Sequence, residues 1–377
     1  MKLTVRKQDL QAELALCQGV VEPKATMPFL SHVLLRAGKS GLEMVGTDLE
    51  IGLQTGCPAD VTGPGSLALP AKILHDVVRG LDCETVALES DNRGTEATGW
   101  LKIEGGSFRG RVAGLVADQY PSQPAFPDKA PSVAVPLTVL QQMISRTVFA
   151  ITAENTRFSI NGALLKVSPQ GLVLVATDGH RLALVQRDVS LTGSELVALV
   201  SRKALLELGR LKATDENEEA IVAVEGNFVF FRVGKRLLFS RLLEGTFPNY
   251  DKVVPQDNPT TVLVDRRALL DAISRVAVLT SETVRLIVLD FTSDGVTIAT
   301  GGGATGVVVG EATETVPTEH DGAPARIGLN HEYLRQFLGV VEAEKIEVRL
   351  KDSTTQALFL PAGAAGYQYV VMPMRLA

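Results

Sequence analysis

The stretch LTVRKQDLQAELALCQGVV, Leu3 to Val21, decides the fold because the chain carries three versions of it. The second is VAVPLTVLQQMISRTVFAI (Val133–Ile151) and the third is TVLVDRRALLDAISRVAVL (Thr261–Leu279). Each begins with a short alternating run, passes a polar or proline start, and continues with apolar residues spaced i, i+3/i+4, i+7. That is the pattern of a strand feeding an amphipathic helix. The helical stripes are Leu10, Leu14, Cys17 and Val21; Leu140, Ile144 and Val148; and Leu269, Ile273 and Val276. A second trio follows at a similar offset: LALPAKILHDVVRGL from Leu67, ALVSRKALLELGRL from Ala198 and ARIGLNHEYLRQFLGVV from Ala325. There the strand enters the helix through Pro70, Ser201 or Asn330, residue types suited to a helix start.

Between the two helices of each copy lie alternating strands. GLEMVGTDLEIGL from Gly41 corresponds to GLVLVATDGHRLAL from Gly171 and, more loosely, to GVTIATGGGATGVVV from Gly295. The copies also end alike, in ADQYPSQP near Tyr120 and EGTFPNYDKV near Phe247. A period of about 130 residues exceeds the roughly 20 to 50 of solenoid and propeller units, so each copy is a whole domain. Two helices among many antiparallel strands predict an α+β fold with both helices on one side of sheet. The proline-rich stretches Pro121–Ser132 and Pro255–Thr260 place the boundaries, giving domains 1–128, 129–258 and 259–377.

Hydrophobic residues make up 45% and charged residues 21% of the 377, an ordinary globular composition. The N-terminus lacks an apolar signal-peptide core, and no apolar run approaches a bilayer span. Three widely spaced cysteines, Cys17, Cys57 and Cys83, fit neither a disulfide framework nor a CxxC motif. The expectation is a cytoplasmic protein without a membrane partner.

The polar turn Thr177-Asp178-Gly179-His180-Arg181 resembles catalytic equipment. Its first-repeat counterpart, Thr47-Asp48-Leu49-Glu50, lacks the histidine, and a Thr-Asp pair between strands is an ordinary turn device. The turn is therefore either a site grafted onto a scaffold or no site at all; an enzyme using Asp178 and His180 would need a third group nearby. The five histidines show no metal-ligand spacing, so neither a metal nor a cofactor is expected. Gly301, Gly303 and Gly306 satisfy G-x-G-x-x-G, but a strand-like VVVG follows where a dinucleotide fingerprint needs a helix. The chain's net charge is −6, yet the segments read as helices are net positive taken together, most strongly Ser201–Lys212. Solvated helix faces explain such a bias; equivalent helices aligned on one surface would instead form a basic stripe suited to sequence-independent phosphate contact.

Three tandem two-helix domains, together with ATDGHRLAL (Ala176–Leu184), EGTFPNYDKVVP (Glu244–Pro255) and YVVMPMRL (Tyr369–Leu376), closely resemble the β sliding clamp family of bacterial DNA polymerase III. The resemblance covers the whole chain. It implies a non-catalytic processivity factor, a ring-forming head-to-tail homodimer with pseudo-sixfold symmetry that encircles double-stranded DNA. It also implies a pocket between domains 2 and 3 for short peptides of the polymerase III catalytic subunit, the clamp loader, repair polymerases and mismatch-repair proteins. The matching pocket positions are Arg157, Ile160, Thr177, Gly179, His180, Arg181, Leu182, Pro248, Val253, Tyr333, Thr354, Gln356, Val370, Met372, Pro373, Met374 and Arg375. Read without the resemblance, the tail is a terminal strand with core methionines. The DNA-lining positions are Lys24, Lys72, Arg79, Phe158, Arg202, Lys203, Arg210, Arg266, Arg267 and Arg275. Phe108 and Val112 would meet Val278 and Leu279 of a second subunit. Two positions depart from the family pattern: Ser159, where a second aromatic can stand, and Gly110, in place of a large apolar residue. A specialised paralogue acting mainly as a peptide-binding hub is the alternative reading.

Overall fold

A computed structural model of the chain describes residues 1–23, 27–91, 98–152, 160–213, 215, 218–280, 284–301 and 310–376. Among these residues are six α-helices, α1 (Lys7–Val20), α2 (Ala71–Gly80), α3 (Leu137–Ser145), α4 (Arg202–Arg210), α5 (Arg266–Ala277) and α6 (His331–Val340). None of the described helices is long and apolar enough to cross a membrane. The apolar stripes of the sequence are the buried faces: Leu10, Leu14 and Cys17 on α1, and Leu269, Ile273 and Val276 on α5. Side-chain caps start three of the helices. Ser201 accepts from the Ala204 amide, Asp265 from Ala268 and Asn330 from Glu332, each cap being worth about 1 kcal/mol. Pro70 starts α2 without a side-chain bond.

One expected helix is shorter than its pattern. Val148 lies in a separate 3-10 turn, Val148–Ala150, instead of on α3. The Thr147 hydroxyl bonds back to the Met143 carbonyl (2.9 Å) and Ser145 to Gln142 (2.9 Å), so side chains compete with the helical ladder at this end.

The chain divides into two compact units, Met1–Gln141 with Leu191–Leu242, and Gln142–Ser190 with Leu243–Ala377; the second repeat contributes to both. The first unit holds a sheet of fourteen strands. At its middle, the strand after the Thr47-Asp48 turn, Ile51–Cys57, pairs antiparallel with Arg236–Arg241, the last strand of the second repeat. α1 and α2 pack together, and α4 joins α1 through Lys203, whose ammonium reaches the Val20 carbonyl (2.7 Å) and Asp48 (2.5 Å). Glu13 of α1, buried, binds the Arg236 guanidinium at 2.6 Å and the Thr55 hydroxyl.

The second unit repeats the device. Its larger sheet places Arg181–Asp188, the strand after the Thr177-Asp178 turn, against Tyr367–Val371, the last strand of the third repeat, with Arg181 opposite Val371 and Leu182 opposite Val370. Ala357–Pro361, Lys345–Leu350, Thr260–Asp265 and Thr318–Asp321 continue that sheet. A smaller sheet holds Thr313–Val316, Gly295–Thr300, Leu286–Thr292 and Ala325–Asn330, and α5 and α6 pack together.

Candidate functional site

The two Thr-Asp turns share one backbone construction. Thr47 donates its hydroxyl to the Ile51 carbonyl (2.8 Å) and accepts from the Leu49 amide; Asp48 Oδ1 accepts from the Glu50 and Ile51 amides (2.9 and 2.8 Å). Thr177 and Asp178 repeat these bonds with the Arg181 carbonyl (2.6 Å) and the amides of Gly179, His180 and Arg181. Both turns need a left-handed third residue, which is Gly179 (φ 88°) in one and Leu49 (φ 79°) in the other.

The copies part at the next position. Ile51 is a buried aliphatic residue, whereas its counterpart Arg181 is a buried guanidinium. Arg181 Nε binds Asp178 Oδ2 at 2.9 Å, Nη1 binds Gln336 of α6 at 2.5 Å, and Nη2 binds the Phe149 carbonyl at 2.6 Å. Its plane lies 4.3 Å from the Tyr333 ring centroid. Every guanidinium nitrogen of Arg181 and both Asp178 oxygens are thus occupied, closing the turn on itself and tying it to Phe149 and α6. The acid of the suspected catalytic pair is a structural acceptor, and His180 is exposed beside it.

The strand seams behind the turns also differ. At the first, Gly52 faces Phe239, and a Cβ on Gly52 would lie 2.1 Å from the ring's Cζ. Phe239 fills that space and packs with Phe230, Phe228 and the linker residue Phe126. At the second, the paired positions are Leu182 and Val370. They form an apolar cluster with Val175, Leu184 and Leu358, bordered by half-buried Val173, Phe247, Tyr250, Val253, Val254 and Leu360. Lys166 marks its edge, with its ammonium 3.0 Å from the Tyr250 hydroxyl. Behind the seam, Tyr369 stacks on Phe337 at 4.7 Å and donates its hydroxyl to the Tyr333 carbonyl; burial pushes its phenol pKa well up.

The tail continues past the seam. The Met372 amide donates to the His180 carbonyl (2.8 Å) and the Met374 amide to Gly328 (2.8 Å), leaving Met372, Pro373 and Met374 half-buried and Arg375 exposed. Thr177, Arg181, Leu182, Tyr333, Val253, Val370 and Met372 are therefore linked through this turn and cluster, and Gly179, His180 and exposed Pro248 lie on the same segments. Ile160 is buried. Thr354 and Gln356 belong to a separate loop in which Asp352 accepts from the Thr354 hydroxyl and from the Thr354 and Thr355 amides, bonds that pull its carboxyl pKa down to about 2. Arg157 lies outside the described residues, as do Lys24, Phe158 and Ser159. Sequence reasoning missed Phe247, Tyr250 and Val173 of the cluster and Gln336 behind it. The first two stand inside EGTFPNYDKV, and period-two alternation puts Val173 on the face of Val175.

Three family models match in tandem: the N-terminal domain of the DNA polymerase III beta subunit over residues 1–124, its central domain over 134–249 and its C-terminal domain over 251–375. The chain belongs to the DNA polymerase III β-subunit family. The curated beta sliding clamps of Synechococcus elongatus and Pseudomonas aeruginosa are 33% and 34% identical to it, each match covering 100% of both chains. The crystal structure of the P. aeruginosa subunit matches at TM-score 0.87 and 33% identity, and the Bacillus subtilis DNA polymerase sliding clamp at 0.90 and 25%, again over 100% of both chains. A P. aeruginosa sliding clamp solved bound to griselimycin matches at 0.89 and 33%. The fold is that of three tandem clamp domains.

In this β-subunit chain the cations read as DNA-lining residues fall into groups. Lys72, Arg79, Arg210 and Arg275 are exposed; Lys72 and Arg79 pair with Asp76, Arg210 with buried Glu207 and Arg275 with half-buried Glu314. Lys203 and Arg266 are turned inward instead. Lys203 joins α4 to α1, and Arg266 closes the end of α6 by donating to the Leu338 (2.8 Å) and Ala343 carbonyls. Arg202 and Arg267 are exposed and carry no hydrogen bond or ion pair among the described residues. Of the positions read as a subunit interface, Phe108 is 40% and Val278 75% exposed, while Val112 and Leu279 are half-buried. The Phe108 ring covers Gly110, its Cζ 2.6 Å from where a Cβ would stand, and occupies the space a larger residue there would take.

Proposed function

We propose that this chain is a DNA sliding clamp: a non-catalytic subunit that closes head to tail with a second copy into a ring around duplex DNA. The ring tethers DNA polymerase III and exchanges partners at the apolar cluster behind the Thr177-Asp178 turn. The observation that carries this reading is the repeated seam. The strand after the turn in repeat one pairs with the last strand of repeat two, and the same step recurs between repeats two and three. By that rule the last strand of repeat one, Phe108–Leu115, calls for one more partner. Among the described residues, Phe108–Leu115 pairs only with the hairpin strand Thr98–Gly105 and, at one position, with Gly65–Pro70. A second copy related by the same step supplies the missing partner, and a heterologous contact that closes avoids open filaments.

The contrast between seams supports the assignment of partner binding. Phenylalanines close the first seam from within the chain; the second keeps aliphatic residues at its centre and half-buried residues and methionines at its rim, the composition of an adaptable peptide pocket. The polymerase III catalytic subunit, the clamp loader, repair polymerases and mismatch-repair proteins would present short motifs there. Encirclement needs little affinity for DNA, so exposed cations that salt readily screens are sufficient.

The deciding experiment loads the protein on nicked circular DNA and then linearises it. The ring should remain on the circle and run off the linear form; persistence on linear DNA with free ends would overturn the reading. Deleting residues 372–377, which spares the paired strand Tyr367–Val371, should abolish binding of a labelled clamp-motif peptide by anisotropy and leave the dimer intact. Unchanged anisotropy would overturn the pocket assignment.

A further inference from the structure

Away from that cluster, the second unit contains a concavity of about 340 Å³ lined by Arg146, Arg187, Val341, Glu342, the turn Pro361–Ala365 and Tyr367. Two guanidiniums line it. Arg146, at the end of α3 and 16% exposed, lies 5.9 Å from the Tyr367 ring centroid, and its carbonyl accepts the Tyr367 hydroxyl at 2.7 Å. Arg187, near the far end of the strand Arg181–Asp188 that follows the Thr177-Asp178 turn, donates from Nη1 to the carbonyl of its own neighbour Gln186 at 2.9 Å. No carboxylate pairs with Arg187 among the described residues. The pocket's one acid is Glu342, 81% exposed, with its oxygen 3.4 Å from Arg146.

We infer that this pocket is an anion site for a terminal phosphate monoester, free or carried on a nucleoside. Two like charges brought together in a concave, partly dry site destabilise it unless an anion joins them. The two cations exceed the single negative charge that Glu342 supplies, and they match the charge of a phosphate dianion. Guanidinium forks also bind tetrahedral oxyanions through paired hydrogen bonds, which point-charge lysines do not. Burial and the nearby Arg146 charge lower the Arg187 pKa, consistent with a cation that lacks its counter-ion. The volume exceeds that of phosphate alone, and the walls Val341, Pro361 and the alanines of the turn Pro361–Ala365 offer an apolar rest for a sugar-sized body. Glu342, exposed and on a loop, is the competitor that an arriving phosphate displaces.

The test is calorimetric titration of the full chain at low ionic strength with inorganic phosphate, a nucleoside 5′-monophosphate and the uncharged nucleoside. Both phosphates should saturate one site and the nucleoside should not. Equal constants for the two phosphates identify the phosphate group alone as the ligand, and tighter binding of the monophosphate shows that the walls contribute. Arg187→Gln should weaken binding about tenfold, the value of one charge-assisted hydrogen bond. Glu342→Gln should strengthen it about threefold by removing an exposed competitor. The second variant changes only an exposed side chain, so its gain stands even if Arg187→Gln impairs folding. Absence of saturation, or constants unchanged in Glu342→Gln and in folded Arg187→Gln, would overturn the proposal and assign any phosphate uptake to the exposed helix cations.

Discussion

Arg181 occupies a position where its repeat counterpart is Ile51, so the fold itself does not require a charge there. Its guanidinium fastens the turn to Asp178, to Gln336 of α6 and to the Phe149 carbonyl, and lies on Tyr333. A lysine keeps the charge and loses the fork, leaving buried acceptors without donors. Arg181→Lys should therefore lower stability by about 2–3 kcal/mol and weaken clamp-peptide binding; equilibrium unfolding and anisotropy together check both. The same turn in repeat one makes the opposite prediction. Leu49 holds a left-handed backbone that costs a non-glycine residue about 1–2 kcal/mol, while glycine adds roughly 0.5–1 kcal/mol of unfolded-state entropy. Leu49→Gly should thus be neutral to stabilising, by up to about 1 kcal/mol, despite truncating a large side chain. A loss in unfolding midpoint would show that the packing of Leu49 outweighs its backbone strain.

Seams are the level at which one element is reused with different contents. Gly52 and Phe239 share the volume at the first seam that Leu182 and Val370 share at the second. Gly52→Ala pushes a methyl into a buried ring and should destabilise the first unit by about 1–3 kcal/mol. The double variant Gly52→Leu with Phe239→Val copies the second seam's pair and should recover most of that loss, measured by urea unfolding against each single variant. Failure of the double variant to recover stability would show that Phe230 and Phe228, not the pair alone, set the volume. These elements were legible in sequence to different degrees. The helices and the α+β class followed from period, because an apolar stripe is a local pattern that only burial explains. The seams did not: which strand pairs with the next repeat is a non-local choice, and Gly52 reads as a break until Phe239 is seen beside it. The cluster at the second seam was half legible, through Leu182, Val253 and Val370, while Phe247, Tyr250 and Val173 depended on which face the folded segment turned inward. Helix cations were legible as charge but not as direction, and so Lys203 and Arg266 joined the lining set although both point into carbonyls.

For the whole molecule, the unmatched strand Phe108–Leu115 and the exposed Val278 make ring closure, as proposed, a separate property from attraction to DNA. A chain of net charge −6 meets DNA with overall repulsion, which local cations offset only weakly and which salt screens further. If charge held the protein on DNA, retention would fall steeply with salt, in proportion to the phosphates contacted. If closure holds it, retention on a closed circle follows the opening of the subunit contact and barely follows salt. Two variants separate the terms. Val278→Asp alters a side chain that is 75% exposed, so the protomer should fold normally, yet a carboxylate in the proposed subunit contact should shift light scattering toward monomer and abolish retention on circles. Arg202→Glu with Arg267→Glu reverses two exposed cations that no described residue pairs, and should slow capture of DNA at low salt while leaving dimer mass and the half-life on closed circles unchanged. The opposite outcome, long retention with Val278→Asp and rapid loss with the charge reversals, would mean that electrostatic contact and not topology keeps this chain on DNA.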